Sequence, residues 1–415
     1  MGENMINYIN KWVTNYHTVF ESKKELLNLG FKELSITDKF DLKSGEKYVM
    51  SVYDTTLVAF TIPKDLTKFD LRVAVSHTDS PVIKVKPSPV VKSDRYNKLN
   101  VAVYGGAIYN TWLDRPLSLA GKVVLKGDNP FNPKNCLIDF EKPLFIIPNL
   151  AIHHNREINK GLELNPQIDL LPLCSVNTEE DLLELISKKL NVKKEDILDF
   201  DLNMYLVQKG MYLGVNEEFI ASSRIDNLSS CYAVLEAIKE ATDRNLNIIV
   251  MFDNEEIGSR SKQGADSILF RDIIERIYDS LNVDKVNIYN GFALSLDVAH
   301  AMHPNKPEKC DITNKPHLND GFCIKVDVKQ SYSSDATSHA IVKELANKCG
   351  AKWVTYINRS DVAGGGTLGP ILNKYLPIRT VDIGIPILAM HSSMETCGKD
   401  DIDYLVKLIK EFFKN

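Results

Sequence analysis

The sequence predicts an α/β protein, a mixed sheet covered by helices on both faces and interrupted by a β-rich insertion. Two observations carry this. Downstream of Asn227, apolar runs of strand length alternate with amphipathic helical stretches, the pattern of a layered α/β domain. Between about Pro81 and about Glu217 the texture changes to β-formers broken by Pro, Gly and Asn. We therefore expect a discontinuous α/β domain over 1–83 and 217–415, and an inserted β-rich domain over 84–216.

In chain order, the first thirty residues read as one amphipathic helix. Ile6, Ile9, Trp12, Val13 and Tyr16 fall at helical spacing and Gly30 is the stop. LRVAVS (71–76) reads as a buried strand. In the insertion VIKVKP, LNVAVYGG, LSLAGKVVLKG and KPLFIIPNLAI are strand-like, and one helix is expected near 179–191. SSCYAVLEAIKEATDR then reads as helix and LNIIVMF as strand. A helix over about 265–281 follows, with Ile268, Leu269, Ile273, Ile277 and Leu281 on one face. After it come the strand FALSL, a helix from about Asp335 to Asn347, and the strands WVTYIN and TVDIGIPILAM. The chain closes with the helix DDIDYLVKLIKEFF, whose Ile402, Leu405, Val406, Ile409 and Phe413 form one apolar stripe.

Bulk properties narrow the function. A chain of 415 residues, 44% hydrophobic and 25% charged, is of ordinary globular composition. Fifty basic against 55 acidic residues leave a net charge of -5, which provides no footprint for nucleic acid and no polybasic membrane patch. No uninterrupted apolar run approaches the ~18 residues of a membrane span. Seven cysteines lie scattered without a C-x-x-C pair, which fits a reducing cytoplasm, and the N-terminus lacks the basic and apolar regions of a secretory leader. A small molecule or a peptide is the expected partner.

The stretch NIIVMFDNEEIGS (247–259) runs a buried strand straight into Asp253, Glu255 and Glu256. Carboxylates so close resist joint ionisation unless something positive relieves them. Other strand ends carry similar groups: His77 and Asp79 follow LRVAVS, Asp297 follows FALSL, and His391 follows IPILAM. Asp226 in SSRIDNL precedes a helix. Ligands of open α/β sheets gather at the carboxyl ends of strands, so these residues are expected on one rim. His77, Asp226, Glu256, Asp297 and His391 would suit a pair of zinc-like ions, with Asp226 as the bridge. One of the adjacent glutamates would ligate while the other serves as general base. Asp79 is expected to take the second N–H of the His77 imidazole. Singly, each piece also reads as a loop histidine, a solvated turn or a helix cap; it is the joint pattern that points to a site.

SHTDSP (76–81), YGGAIYNTWLDRPLSLAG (104–121), NLAIHHNREINKG (149–161), SRIDNL (223–228), DNEEIGS (253–259), SLDVAHAMHPN (295–305) and DIGIPILAMHSSMETCG (382–398) together resemble the aspartyl aminopeptidase family of dinuclear zinc exopeptidases. The resemblance covers nearly the whole chain. It implies a phosphorylase/hydrolase-like catalytic domain, a β-rich dimerisation domain, and a homo-oligomer assembled as a tetrahedral dodecamer. It also implies two zinc ions per subunit, with cobalt or manganese as substitutes, and peptide substrates with a free N-terminus. His77, Asp226, Glu256, Asp297 and His391 fall on ligand positions, Glu255 on the base and Asp79 on the orienting acid. His153 matches a histidine donated to the neighbouring subunit's site, and Lys325 and Tyr332 match substrate contacts. A cationic Lys325 would favour Asp or Glu at the N-terminus, though Leu-preferring members exist. Departures are Ser331 where Arg is usual, SSMET without the Arg common after His391, and Ala363 where Cys-Gly is frequent. None touches a ligand position.

Three competing readings stay open. GGGTLG (364–369) satisfies a dinucleotide fingerprint, but RSDVA separates it from the preceding strand and Pro370 follows at once, so a loop lining the substrate cleft is expected instead. Ser259 and Lys262 form an S-x-x-K without its companion motifs. A non-catalytic scaffold would be expected to have lost a ligand or the base, and all six positions are present.

Overall fold

The computed structural model describes residues 2–178 and 181–415. The chain divides into two units: Met1–Asp79, Gly210–Met390 and Glu395–Asn415 form the first, and Ser80–Lys209 with His391–Met394 the second.

In the first unit nine strands form one mixed sheet: β1 Lys32–Glu33, β2 Lys47–Val52, β3 Thr56–Thr61, β4 Leu71–His77, β5 Leu246–Phe252, β6 Phe292–Leu296, β7 Phe322–Val326, β8 Trp353–Ile357 and β9 Arg379–Gly384. The spatial order is β1-β2-β3-β5-β4-β6-β9-β7-β8. The four central strands β5, β4, β6 and β9 are parallel, so their carboxyl ends share one edge. The central strands are apolar on both faces because both are covered. Ala74, Ile249, Met251 and Leu294 pack toward one layer of helices, Gly2–Lys11, Asn15–Asn28, Ile225–Lys239, Ala336–Cys349 and Asp401–Lys414. Val73, Val75, Ile248 and Val250 face the opposite layer, Leu269–Leu281 and Leu368–Tyr375. The period-2 alternation of a strand thus feeds two separate cores.

The stripe expected on the last helix is real: Ile402, Leu405, Val406, Ile409 and Phe413 are all fully buried. Three expectations need correction. The first thirty residues make two helices, because Thr14 turns to extended backbone and its side chain caps the second helix at the His17 N–H. The helix expected from 265 begins at Leu269. TVDIGIPILAM is two strands in two sheets: the chain leaves β9 at Gly384 and enters a five-stranded sheet over Pro386–Leu388. Gly384 is required there, since a Cβ would collide with the Asp297 carbonyl oxygen.

The second unit holds a six-stranded antiparallel sheet whose strands are Asn132–Asp139, Leu117–Asn129, Ile197–Leu206, Val82–Ser93, Tyr96–Tyr104 and Leu173–Val176, in spatial order. One face buries Ile83, Val101, Leu119, Val123, Leu202 and Met204 with Leu182 and Ile186 of a helix. That helix runs Leu182–Leu190, opened by a capping box between Asp181 and Glu184. Positions 179 and 180 of the helix expected near 179–191 lie outside the described residues. Among the described residues, no helix is long and apolar enough to cross a membrane.

Candidate metal centre

Parallel pairing of β4 with β5 and β6 brings three of the expected strand ends together. His77 ends β4 and is 1% exposed. Its Nε2 lies 3.5 Å from Asp226 Oδ1, 3.6 Å from Asp297 Oδ1 and 3.9 Å from Glu255 Oε2. Asp226 sits at the irregular start of the helix Ile225–Lys239, where its peptide bond to Asn227 is cis. Its backbone N–H donates to Glu395 Oε2 at 2.9 Å, and Asn227 Nδ2 donates to the Leu296 carbonyl at 2.8 Å, securing the strand end that presents Asp297. Neither Glu395 nor Asn227 was legible in the sequence, because a lone polar residue gives no periodic or motif signal.

Glu255 and Glu256 stand on a tight turn after β5. Asn254 opens it at φ 65 and Gly258 closes it at φ 94. The Asp79 carboxylate accepts the backbone N–H of Glu255 at 3.2 Å and of Glu256 at 3.1 Å. This adds to the role expected for Asp79. His77 Nδ1 is 3.1 Å from the Asp79 carbonyl oxygen and 3.4 Å from its Oδ1, so the main-chain oxygen is the better-placed acceptor. The Asp79 side chain thus braces the acid turn while its Oδ1 also lies beside the His77 ring.

Two sets of donors each gather within 4.8 Å: His77 with Asp226 and Asp297, and His77 with Glu255 and Glu256. Burial pushes the Glu255 carboxyl up to about 7, assisted by Asp297, Asp79 and Asp226 and opposed by His77. Burial and Asp226 hold Glu256 well above the usual carboxylate range. Burial alone would lower His77, but Asp297, Asp79 and Glu255 raise it well above the ordinary imidazole value. One imidazole brought together with four carboxylates, both glutamates among them raised by burial, is the donor set of a hard or borderline divalent cation. The residues therefore fit zinc.

His391 does not end a strand of the large sheet, contrary to expectation. It opens the segment His391–Met394 of the second unit, at φ 68, with its Nδ1 3.2 Å from the Gly106 carbonyl oxygen. His153 is exposed in a turn of that same unit. Lys325 lies on β7 and is 2% exposed, so it does not reach solvent. Its Nζ is 3.6 Å from Asp297 Oδ2 and 5.3 Å from the ring centroid of Tyr332, itself buried. Asp382 on β9 braces this corner by accepting the Ser333 N–H at 2.6 Å and the Thr367 hydroxyl at 2.7 Å. Gly364, Gly365 and Gly366 are exposed in irregular chain well beyond β8, without the tight strand-to-helix turn of a dinucleotide site.

The family model of the aminopeptidase I zinc metalloproteases, M18, matches residues 8–413. A probable M18 family aminopeptidase 2 of Clostridium novyi is 45% identical over 421 residues, covering 99% of this chain and 97% of that protein. One of Ectopseudomonas mendocina is 34% identical over 100% of this chain and 98% of its own length. Among solved structures, the cryo-EM structure of the Ape4 and Nbr1 complex matches with a TM-score of 0.95 at 30% identity, covering 99% of this chain and 85% of the other. The S. cerevisiae mApe1 dodecamer matches with a TM-score of 0.86 at 27% identity, covering 99% and 96%.

Proposed function

The chain belongs to the M18 family of zinc metallo-aminopeptidases, and from that premise we propose that it removes the N-terminal residue of peptides with Glu255 as general base. The observation that carries this is the pair of donor sets sharing His77, with Glu255 in one of them beside Glu256. Two zinc ions, replaceable by cobalt or manganese, would be held by His77, Asp226, Glu256, Asp297 and, on its motif, His391, with Asp226 bridging. When bound, zinc supplies Lewis-acid polarisation of the scissile carbonyl and acidification of water. Glu255 takes a proton from the attacking water and delivers it to the leaving amine, a double duty suited to a carboxyl that burial has raised toward neutrality. Asp79 keeps that carboxyl in place through the two main-chain N–H groups it accepts.

Lys325, cationic and buried beside Tyr332, supports recognition of an acidic N-terminal side chain, with neutral residues such as Leu as poorer substrates. The relation to a dodecameric neighbour supports an assembly of the same kind here, built from dimers through the β-rich unit. His153 would then enter the site of the adjacent subunit. A cytoplasmic location fits the unpaired cysteines.

The test is hydrolysis of aminoacyl chromogenic substrates (Asp, Glu, Leu, Lys, Ala) before and after chelation, with zinc, cobalt and manganese added back. Metal-restored release is expected. No turnover on any substrate with any metal would overturn the reading.

A further inference from the structure

Asp253 is the one acid of the DNEE run that the proposed chemistry leaves without a task. It is 2% exposed, directly after β5 and directly before the acid turn. Its Oδ1 accepts the Asn254 N–H at 2.8 Å and Asn15 Nδ2 at 3.0 Å, and its Oδ2 accepts Gln263 Nε2 at 3.1 Å. Gln263 Nε2 also lies 3.2 Å from Asn254 Oδ1. The Asp253 N–H donates to Thr56 Oγ1 at 3.1 Å. Together with Asp79, it makes three successive main-chain N–H groups, of residues 254, 255 and 256, each donate to a buried carboxylate. Oriented amides of this kind are fixed positive ends that stabilise anions and at the same time fix the backbone that carries them.

Asn15 gives this arrangement a remote end. It is the first residue of the helix Asn15–Asn28, so the Asn15–Asp253 bond ties a helix to a turn 238 positions away in sequence. We propose that Asp253 is a positioning residue for Glu255 and that Asn15 is its distal anchor, so that the start of this helix sets the placement of the general base. The proposal rests on the reading of Glu255 given above. Asn254 has to hold φ 65 for the turn to present both glutamates, and an asparagine tolerates that conformation only because local hydrogen bonds compensate it. The Asp253 carboxylate supplies one of those bonds from its own preceding position, and it stays in place because Asn15 and Gln263 hold its two oxygens from opposite sides. Removing the Asn15 amide frees one side, and the turn relaxes without loss of any ligand side chain.

The test compares the zinc-loaded parent with Asn15→Ala, Asn15→Asp and Leu26→Ala on the best chromogenic substrate. Leu26 is a fully buried residue of the same helix and serves as the structural control. Asn15→Ala is expected to lower kcat roughly tenfold, the scale at which small displacements of a catalytic group act, with KM within about twofold and zinc content equal to the parent. Asn15→Asp sets a carboxylate against a carboxylate and is expected to lower kcat further. Leu26→Ala is expected to lower Tm more than Asn15→Ala while leaving kcat unchanged. The inference is overturned if both Asn15 variants keep the parent kcat, or if Leu26→Ala loses kcat as much as Asn15→Ala does. A zinc-loaded parent without turnover overturns the proposed function and this inference with it, whereas an active parent with indifferent Asn15 variants overturns this inference alone.

Discussion

Stripping and reloading the metal should move protons, and the number can be worked out from the site. Burial raises the Glu255 carboxyl to about 7, but Glu255 is the proposed base and not a ligand, so the count rests on the groups that would hold the ion. Glu256 lies well above the ordinary carboxylate value and His77 well above the ordinary imidazole value, so both favour their protonated forms. A cation needs ionised carboxylate ligands and a neutral imidazole, so the protons on Glu256 and His77 oppose binding. Loading zinc at pH 7 should therefore release about two protons, and affinity should weaken by about 100-fold per unit as pH falls below 7. The sign follows from both ligands being raised: lower pH fills them further, and neither moves the other way. Calorimetric titration of chelator-stripped protein with zinc chloride, in two buffers of different ionisation enthalpy, reads the proton count directly. Glu256→Gln should reduce it by about one. A parent releasing less than about half a proton would refute the argument that burial and mutual repulsion keep this cluster protonated.

Other consequences are simpler to check. Glu255→Gln should keep the zinc content of the parent and lower kcat by about 100-fold or more, the range for a lost general base, and retained turnover would remove Glu255 from that role. Lys325→Met keeps the buried volume but deletes the charge 3.6 Å from Asp297, so kcat/KM for Asp and Glu substrates should fall about tenfold or more relative to Leu. An unchanged ratio would show that Lys325 does not read the substrate. Phe413→Ala opens a cavity at a fully buried position of the last helix and should cost about 3–5 kcal/mol in urea unfolding with zinc stoichiometry unchanged; a cost under about 1 kcal/mol would contradict the packing described. Gel filtration with activity assayed across fractions tests His153: a fully active monomer would exclude a site shared between subunits.

Much of the fold and several residues of the candidate site could be read directly from local pattern. LNIIVMF is apolar on both alternating faces apart from Asn247, and LRVAVS sets Leu71, Val73 and Val75 on one face with Ala74 on the other, a pattern that suits a strand covered on two faces. The last helix has its stripe at 3.6-residue spacing, and the helix is where that stripe requires it. His77, Asp297 and the adjacent glutamates were found because each follows such a strand, and parallel neighbours necessarily end on the same edge. His391 was named by the same logic, although TVDIGIPILAM is not one strand: Gly384 and Pro386 mark where it changes sheets. The break near Thr14 was hidden because Ile9, Trp12 and Val19, on either side of it, feed one core.

Asp253, Glu255 and Glu256 show where local reading stops. In the sequence they are three equivalent acids in four positions. The tertiary structure separates them, bringing Asn15 and Gln263 to the first and His77 to the other two. Helical and strand periodicity reports which face of an element is buried, a matter settled among residues a few positions apart. Which carboxylate meets an amide and which meets an imidazole depends on strand order and on contacts between distant segments, and no local pattern encodes those.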